Sequence, residues 1–417
     1  MSVTRDESVI VVGAGIVGLC VAHELGKAGY RVEVIDPAEP GSQCSSGNAG
    51  AISAGSVAPL AMPGVIKSAF KMFLDPDSPL HVPMHYWLHA APWFTRFIAA
   101  ASPQRVGQIA DALSGLFTDA VENHMALARE IGCPERVVKS GQLHLYVDEA
   151  ALAKDAGSWR LRESRGVKLE MLDAAAIREM EPAVSERYRL GVFMPEQAAV
   201  TEPLRYAQAI AAAVRERGGK IIRDKATALV PQQGGWQVQG EQGRYQADRI
   251  VLAAGAWSGG LLRPLGWHVP LESQRGYHLD VTEPGVRITR PVVLSDRKIF
   301  MVPLETGLRI AGTVEFGGLA MPPTERRALA LGEHAKEGVP GLQLGAQPSM
   351  WMGHRPCMPD SMPVLGPVPQ HEGLWCAFGH GHLGVTGSIN TGRLIAGAFR
   401  GEVGLQRFAP FSITRFR

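Results

Sequence analysis

The stretch VIVVGAGIVG at residues 9–18 decides the fold that this sequence predicts. Four β-branched apolar residues predict a buried strand, and the glycines after them have the spacing of a phosphate-binding turn that opens a helix. Gly13 allows the tight turn, Gly15 lets a pyrophosphate approach the backbone, and Gly18 lets the helix pack closely on the strand. The helix N-terminus then offers free N–H groups to the phosphates. The stretch therefore predicts a dinucleotide site in a Rossmann-like domain.

An acidic residue stands at the distance that such a site requires. The predicted second strand runs from Arg31 to Ile35 and ends in Asp36, eighteen residues after the last glycine of the turn. Its carboxylate can accept hydrogen bonds from both ribose hydroxyls and would repel a 2′-phosphate. NADP is therefore disfavoured. NAD and FAD share this fingerprint, so the turn alone leaves both open.

Length and composition indicate a globular enzyme of two domains. The chain has 417 residues, 46% of them hydrophobic and 20% charged, and its net charge is +2. A near-neutral chain without a basic run argues against nucleic acid as a partner. The five cysteines are odd in number and include no CxxC pair, which suits a reducing compartment. Asp6 and Glu7 stand where an export signal would carry positive charge, so we expect a cytoplasmic protein.

The segment 61–102 differs from the rest of the chain in its aromatic and methionine content. Two interpretations stay open: these side chains fill a core, or they cover a substrate or a membrane surface. His81, His85 and His89 are four residues apart, but Pro83 breaks the helix that they would share, so we predict no metal site. The segment contains Met62, Phe70, Met72, Phe73, Tyr86, Trp87, Trp93, Phe94 and Phe97.

Three later segments have features of a ligand site. Residues 41–55 are mostly small or polar and can wrap a ligand closely, although a flexible loop has the same composition. Residues 249–255 predict a buried strand that ends at a glycine, where the nucleotide domain resumes. Residues 379–387, GHGHLGVTG, form a glycine-rich loop before a helix predicted over 388–399.

Five motifs in this order together resemble the D-amino-acid oxidase superfamily of FAD enzymes. Within it, nearly the whole chain is most similar to the bacterial D-amino-acid dehydrogenases, including Asp77–Leu80 and the aromatic run that follows. The resemblance implies FAD, held without a covalent bond, rather than NAD. The motifs are VIVVGAGIVG, SSGNAG at 45–50, VLAAGAWS at 251–258, GHRPCMPDSMPVLGP at 353–367 and GHGHLGVTG.

The resemblance implies an α/β plus α+β fold. We expect a Rossmann-like FAD-binding domain, made of residues 1–60, part of 140–260, and 350–417. We expect a discontinuous substrate or cap domain, made of 61–139 and 261–349, built on an antiparallel or mixed sheet and carrying the aromatic insertion.

The resemblance also implies which residues contact FAD. The pyrophosphate would meet the glycine turn, the adenosine ribose Asp36, the adenine Ala226, and the flavin ring the loops at 45–50 and 381–386. The predicted cofactor-binding residues are Gly13, Ala14, Gly15, Ile16, Val17, Gly18, Asp36, Ser45, Ser46, Asn48, Ala49, Gly50, Ala226, Gly255, Trp257, Gly381, His382, Leu383, Gly384 and Thr386.

Arg355 is the residue that the resemblance assigns to the substrate carboxylate, and a planar guanidinium suits that group through two parallel hydrogen bonds. Tyr277 is a second candidate donor, with a core tyrosine as the alternative. His380 and His382 receive no proton-transfer role. At His382 and Val385 the chain departs from the small polar and aromatic residues common in these dehydrogenases, which leaves the side-chain pocket open. A cyclic imino acid such as D-proline or D-hydroxyproline is one candidate substrate.

The activity implied is oxidation of a D-amino acid by hydride transfer from Cα to FAD. The product would be an imine and then a 2-oxo acid, or a cyclic imine from a proline. Electrons would pass to a quinone or another redox carrier, with peripheral contact at the inner membrane as an open alternative to a purely cytoplasmic protein. A glycine- or sarcosine-type oxidase using O2 and a noncatalytic flavin-binding subunit are the alternative functions.

Overall fold

The computed structural model describes residues 7–63, 80–346 and 348–417. The helices in these ranges are α1 (Ile16–Lys27), α2 (Trp87–Ala100), α3 (Pro103–Phe117), α4 (Ala120–Glu130), α5 (Glu149–Glu163), α6 (Ala174–Met180), α7 (Pro203–Glu216), α8 (Ser258–Leu262), α9 (Glu325–Gly338) and α10 (Gly384–Phe399). Short 3-10 turns lie at Met84–Tyr86, Pro134–Arg136, Gly255–Trp257, Arg263–Leu265, Gly381–Leu383, Leu405–Phe411 and Ile413–Phe416.

A six-stranded sheet carries the predicted dinucleotide motif. Its order is β10 (Lys220–Arg223), β2 (Arg31–Asp36), β1 (Ser8–Val12), β14 (Arg249–Leu252), β21 (Leu374–Phe378) and β20 (Val364–Pro367). All neighbours pair in parallel except the edge strand β20. Val9 and Val11 pack in the same core as α1. Ile10 and Val12 pack with the three-stranded sheet formed by residues 226–247. Burial on both faces explains why β1 is apolar throughout.

A nine-stranded mixed sheet forms the second large layer. The order along it is β19 (Ser349–Cys357), β15 (Glu272–Val281), β18 (Gly307–Phe316), β17 (Ile299–Leu304), β16 (Val292–Leu294), β6 (Gln142–Tyr146), β8 (Leu190–Met194) and β7 (Glu170–Asp173), and β4 (Leu80–His81) pairs with β18. Two three-stranded sheets complete the fold: β11 (Ala226–Gln232), β12 (Gly235–Gly240) and β13 (Arg244–Ala247), and β3 (Ala51–Ile52), β9 (Ala198–Val200) and β5 (Val137–Val138).

This combination of a mostly parallel sheet and a mixed sheet confirms the predicted fold class. The strands at 142–146, 170–173 and 190–194 belong to the mixed sheet, and so does β19. Strand pairing joins these segments to 272–316. The division into two domains and its boundaries stay predictions.

The aromatic segment divides between core and surface. Trp93 and Phe94 contact the ring of Phe316, with centroids 5.3 and 4.9 Å away, so the core interpretation holds for them. By contrast, Met84 is 90% exposed and Leu88 is 91% exposed. Phe70, Met72, Phe73 and Asp77–Pro79 lie outside the described residues. In the part of the chain that the structure describes, no helix is long and apolar enough to cross a membrane.

Helix α10 packs directly on α1. The contact is close because Gly392 has no side chain: a Cβ there would lie 2.6 Å from the carbonyl oxygen of Cys20. The helix begins at Gly384, four residues earlier than predicted, with no acidic residue in its first turn.

We predict that Gly392→Ala destabilises the protein by about 1–3 kcal/mol, because α10 must move away from α1. Gly157→Ala is the matched control. It lies inside α5 with no atom within 4 Å of the added Cβ, so it should leave stability unchanged or raise it by up to about 1 kcal/mol. Midpoints of thermal unfolding measure both changes. Equal midpoints for the two variants would contradict the close packing described.

Candidate functional site

The glycine turn has the geometry that the sequence predicts. Gly13 adopts a φ of +114°, and a Cβ on it would lie 2.4 Å from the carbonyl oxygen of Ala253. A Cβ on Gly18 would lie 2.0 Å from the carbonyl oxygen of Gly13. No side chain caps α1 at Gly15 and no acidic residue lies in the first turn. The N–H groups at this end are therefore suited to a phosphate.

Asp36 lies beside this turn at the end of β2. Its Oδ2 accepts from the Ala14 N–H at 2.7 Å, and its Oδ1 accepts from the Ala38 N–H at 2.8 Å. Burial raises the pKa of the carboxyl, although the two N–H groups oppose this shift. Each oxygen keeps acceptor capacity for a ribose hydroxyl. The ribose contact itself stays a prediction.

The loop at 45–50 is held against the turn. The Ile16 N–H donates to Ser45 Oγ at 2.9 Å, and Asn48 Oδ1 accepts from the Gly50 N–H at 2.8 Å. Ser46 and Ala49 lie in the same half-buried loop. The structure thus brings the predicted residues of 13–18 and 45–50 together.

Arg309, which the sequence analysis missed, anchors this loop. Its Nη1 donates to the carbonyl oxygens of Ser46 and Asn48 at 2.7 and 2.6 Å. Its Nε and Nη2 donate to the two oxygens of Asp280 at 2.8 and 2.7 Å. Burial raises the pKa of Asp280, but the hydrogen bonds from Arg309 and His278 outweigh it and hold this pKa well below its usual range. A strand arginine more than 250 residues away gives no sequence signal for this role.

The loop at 381–386 contacts the loop at 45–50 and the residues that follow it. Leu383 provides no side-chain cap for α10, so the first N–H groups of this helix, from Gly384 onward, are also suited to negative charge. Thr386 Oγ1 accepts from the Ser53 N–H at 3.0 Å. Asn48 Nδ2 donates to the carbonyl oxygen of His382 at 3.5 Å. Two helix N-termini and two glycine-rich loops therefore converge, and this donor set fits a flavin dinucleotide.

Arg355 lies on β19, and its guanidinium covers Gly276. A Cβ on Gly276 would lie 2.1 Å from Arg355 Cζ, so the approach requires glycine. Arg355 Nη1 donates to the carbonyl oxygen of Thr313 at 2.9 Å. Thr313 has a φ of +57° at a β-bulge, a backbone arrangement found next to active sites. Among residues 7–63, 80–346 and 348–417, Arg355 forms no ion pair, so its charge is available to a ligand carboxylate.

The side chain of His382 is exposed. Desolvation by surrounding protein atoms, followed by the positive charge of Arg355, lowers its pKa to about 4, so the ring is neutral near pH 7. His380 is different: it is buried, its Nε2 lies 3.0 Å from Thr391 Oγ1, and burial lowers its pKa to about 3. It belongs to the packing under the loop.

Tyr277 does not join Arg355. On β15, Gln274 and Gly276 share the face of Arg355, and Tyr277 points to the other face, toward α9. It is 2% exposed, its hydroxyl donates to the Glu315 carboxylate, and it accepts from the Thr324 N–H at 3.0 Å. The core-tyrosine alternative is therefore correct, and the candidate role in carboxylate binding is withdrawn.

The remaining predicted residues lie at the edges of the site. Ala226 opens β11, two residues after the Asp224 N–H that donates to the Asp36 carbonyl oxygen at 3.1 Å. Gly255 follows β14 with a φ of +52°. Trp257 is 42% exposed and packs edge-on against His354 at 5.5 Å. Their contacts with FAD stay predictions.

A stacked pair that the sequence analysis missed contacts the loop at 45–50. His278 and Trp351 stack with centroids 5.0 Å apart. His278 Nδ1 lies 3.1 Å from the carbonyl oxygen of Gly47, and its Nε2 lies 3.5 Å from Asp280 Oδ2. Trp351 requires glycine at 47 and 353, where a Cβ would lie 2.0 and 1.9 Å from its ring. Within the described ranges no group of three metal-ligating side chains converges.

Comparison with known proteins gives a consistent result. The family model described as "DAO: FAD dependent oxidoreductase" matches residues 8–398. A D-amino-acid oxidase of Bradyrhizobium diazoefficiens is 38% identical over 98% of each chain. A D-amino acid dehydrogenase of Dechloromonas aromatica is 30% identical over 94% of this chain and 97% of its own. The solved glycine oxidase from Geobacillus kaustophilus, at 22% identity, has the same fold with a TM-score of 0.77 over 99% of each chain.

We predict that Arg309→Met weakens FAD binding by about 3 kcal/mol, or about 100-fold in Kd, because the loop at 45–50 loses two charge-assisted hydrogen bonds. Fluorescence titration of the apoprotein with FAD measures this change. Arg223→Met, which removes an exposed arginine paired with Glu39, should bind FAD like the unmodified protein. Adding Asp280→Asn to Arg309→Met separates loop positioning from the cost of an unpaired carboxylate. Unchanged FAD affinity in both Arg309 variants would refute the positioning role.

Proposed function

Since the chain belongs to the DAO family of FAD-dependent oxidoreductases, we propose that it oxidises free D-amino acids at Cα. The observation that carries this proposal is the guanidinium of Arg355, which lies over Gly276 and forms no ion pair in the described part of the chain. A cation without an ion pair favours an anionic ligand, and a guanidinium suits a carboxylate. The relatives named for D-amino acids support the D configuration.

The chain provides separate groups for each part of the cofactor. The turn at 13–18 and the N-terminus of α1 would hold the pyrophosphate, and Asp36 would hold the ribose. The N-terminus of α10 would stabilise negative charge at the carbonyl edge of the flavin. Bound FAD supplies the acceptor for the hydride that leaves Cα.

Arg355 would orient the substrate by its carboxylate, and this orientation directs Cα toward the flavin. Holding the reacting atoms about 3–3.5 Å apart supplies a large part of the rate enhancement. Three titratable groups near Arg355 are uncharged near neutral pH, because burial raises the pKa of the Cys44 and Cys357 thiols to about 11 and 12 and His382 is neutral. We therefore propose a reaction in which none of these three groups acts as a strong base. Desolvation instead favours the neutral form of the substrate amine, and the hydride leaves the Cα that carries this amine.

The same thiols bear on how FAD is held. A cysteine attacks as the thiolate, and burial disfavours the thiolate of Cys44 and Cys357. We therefore expect FAD to be bound without a covalent bond. Cyclic imino acids such as D-proline and D-hydroxyproline fall within the proposal, because loss of hydride from their Cα gives a cyclic imine.

The exposed side chains of Met84 and Leu88 support peripheral contact with a membrane. They lie four residues apart, at the turn before α2 and in its first turn, and both are almost fully exposed. Large apolar side chains in that position suit insertion at a lipid surface. A membrane-bound quinone would then be the electron acceptor.

The deciding experiment follows bleaching of the flavin absorbance without oxygen, using D- and L-amino acids, glycine, sarcosine, and the proline and hydroxyproline isomers. We expect fast bleaching by D-amino acids, and flavin that leaves the protein on acid denaturation. Fast bleaching by glycine or sarcosine alone would replace the proposal with a glycine-type oxidase. No bleaching by any compound would indicate a noncatalytic subunit.

The acceptor is tested in the same system by adding air, or liposomes that contain quinone, to the reduced protein. We expect faster reoxidation with the liposomes than with air. Met84→Ser together with Leu88→Ser should remove this advantage while leaving anaerobic reduction unchanged. Equal reoxidation with and without liposomes would contradict the membrane proposal.

We predict that Arg355→Met lowers the kcat/KM of flavin reduction, with a loss of transition-state stabilisation of about 2–5 kcal/mol, because the carboxylate loses its charged partner. Tyr277→Phe is the matched control from the neighbouring strand. Its hydroxyl faces α9, so kcat/KM should stay within about twofold, while loss of the hydrogen bond to Glu315 lowers stability by about 1 kcal/mol. A large loss of kcat/KM in Tyr277→Phe with little in Arg355→Met would overturn the assignment.

A further inference from the structure

We propose that the buried ion pair between Arg275 and Glu315 positions Arg355 for the substrate carboxylate, and that it acts through the β-bulge between β15 and β18. The inference rests on the proposed function, because it concerns the geometry of the same carboxylate-binding group. Arg275 and Glu315 are positioning residues, and neither is assigned a contact with substrate or FAD.

The β-bulge holds Arg355 through a strained backbone. Residues 313 and 314 of β18 stand opposite the single residue Gly276 of β15. Thr313 has a φ of +57°, an outlier for a β-branched residue, and its carbonyl oxygen accepts from Arg355 Nη1 at 2.9 Å. A conformation of this kind persists only where its surroundings hold it. The direction of the Arg355 guanidinium therefore depends on what fixes the bulge.

The carboxylate of Glu315 spans the bulge. Its Oε2 lies 3.2 Å from Arg275 Nη1, in an ion pair whose side chains are 1% and 0% exposed. The same oxygen accepts from the Tyr277 hydroxyl, and Oε1 accepts from Thr324 Oγ1 at 3.0 Å. Arg275 precedes Gly276 in β15 and Tyr277 follows it. One carboxylate of β18 thus holds the side chains on both sides of the glycine that Arg355 covers.

The ion pair and Arg355 lie on opposite faces of the mixed sheet. Arg355 covers Gly276 on one face. Arg275 shares the other face with Tyr277, which packs in the core beside α9, and its Nη2 donates to the carbonyl oxygen of Pro322 at 2.6 Å. The pair is fully buried there, so its influence on Arg355 passes through the backbone of the bulge.

The energetics of a buried ion pair suit a role in geometry better than a role in stability. Removing two charges from water costs about as much free energy as their attraction returns, so uncharged side chains of similar size often fold as well. The carboxylate of Glu315 is satisfied only when β15 and β18 keep one offset at the bulge. Replacing both members of the pair therefore tests the geometry of Arg355 in a protein that still folds.

The test combines Arg275→Met and Glu315→Gln in one protein, which leaves no unpaired charge buried. Perturbation of the flavin spectrum of the holoenzyme reports binding of butanoate and of butanamide, which have the same shape and differ in charge. We expect the unmodified protein to prefer butanoate by at least about 10-fold, and the paired replacement to lose most of this preference. FAD affinity, which depends on the loop at 45–50, should stay unchanged.

A double-mutant cycle with Arg355→Met separates positioning from a general loss of structure. We expect the paired replacement to lower kcat/KM for flavin reduction by about 10- to 100-fold when Arg355 is present, and to have little further effect in Arg355→Met. A merely structural role would give the same loss in both backgrounds. Measurements use the D-amino acid that reduces the flavin fastest.

A second buried ion pair provides the matched control. Glu181 is fully buried, and its Oε1 lies 3.0 Å from Arg290 Nε, outside the strands that form the bulge. Glu181→Gln with Arg290→Met should keep the full butanoate preference. Tyr277→Phe leaves the pair of Arg275 and Glu315 in place and should keep it as well.

Glu315→Asp is a second test that retains both charges and so does not depend on the paired replacement folding. Its shorter side chain draws the carboxylate away from Arg275, so we expect the butanoate preference to fall while FAD stays bound. An unchanged preference in both variants would show that the inference is wrong, and the proposed function would stand if Arg355→Met removes the preference. If Arg355→Met keeps the preference, the proposed function fails and the inference fails with it.

Discussion

The ion pair between Arg309 and Asp280 is the interaction on which the geometry of the site depends. Both residues lie in the mixed sheet, and the free edge of the guanidinium holds two carbonyl oxygens of the loop at 45–50. A buried ion pair adds little net stability, because desolvation offsets the attraction, but it specifies one arrangement strongly, because breaking it leaves a buried charge. The pair therefore ties the mixed sheet, which also carries Arg355, to the loop beside the dinucleotide turn.

Close approach of backbone and side chains is the second constraint. Gly13 and Gly18 let a strand, a turn and a helix meet without side chains between them, while Gly276, Gly353 and Gly47 let Arg355 and Trp351 lie flat on the sheet and the loop. Thr313 accepts an unfavourable φ at the bulge, where its carbonyl oxygen holds Arg355. Strain of this kind persists where the surroundings over-determine the conformation, as they do at functional sites.

The electrostatics around Arg355 follow from this packing. Its guanidinium carries a permanent charge, while the imidazole of His382 and the thiols of Cys44 and Cys357 are neutral. This combination suits chemistry in which the substrate is held by its carboxylate and loses a hydride. It also explains why no nucleophile and base pair stands out in the sequence.

The sequence by itself determined the dinucleotide turn, the acidic residue after β2 and the mixed α/β class, because these depend on steric preferences within a few residues. The motifs in their order, through the family that they resemble, also identified FAD, and they predicted Arg355 as the partner of the substrate carboxylate. Only the tertiary structure decided that Tyr277 faces the core, since the face of a strand residue depends on its register with a strand some 80 residues away. It alone placed Arg309 on the loop at 45–50, where it holds the carbonyl oxygens of Ser46 and Asn48. These contacts join residues far apart in the chain, and no local pattern encodes them.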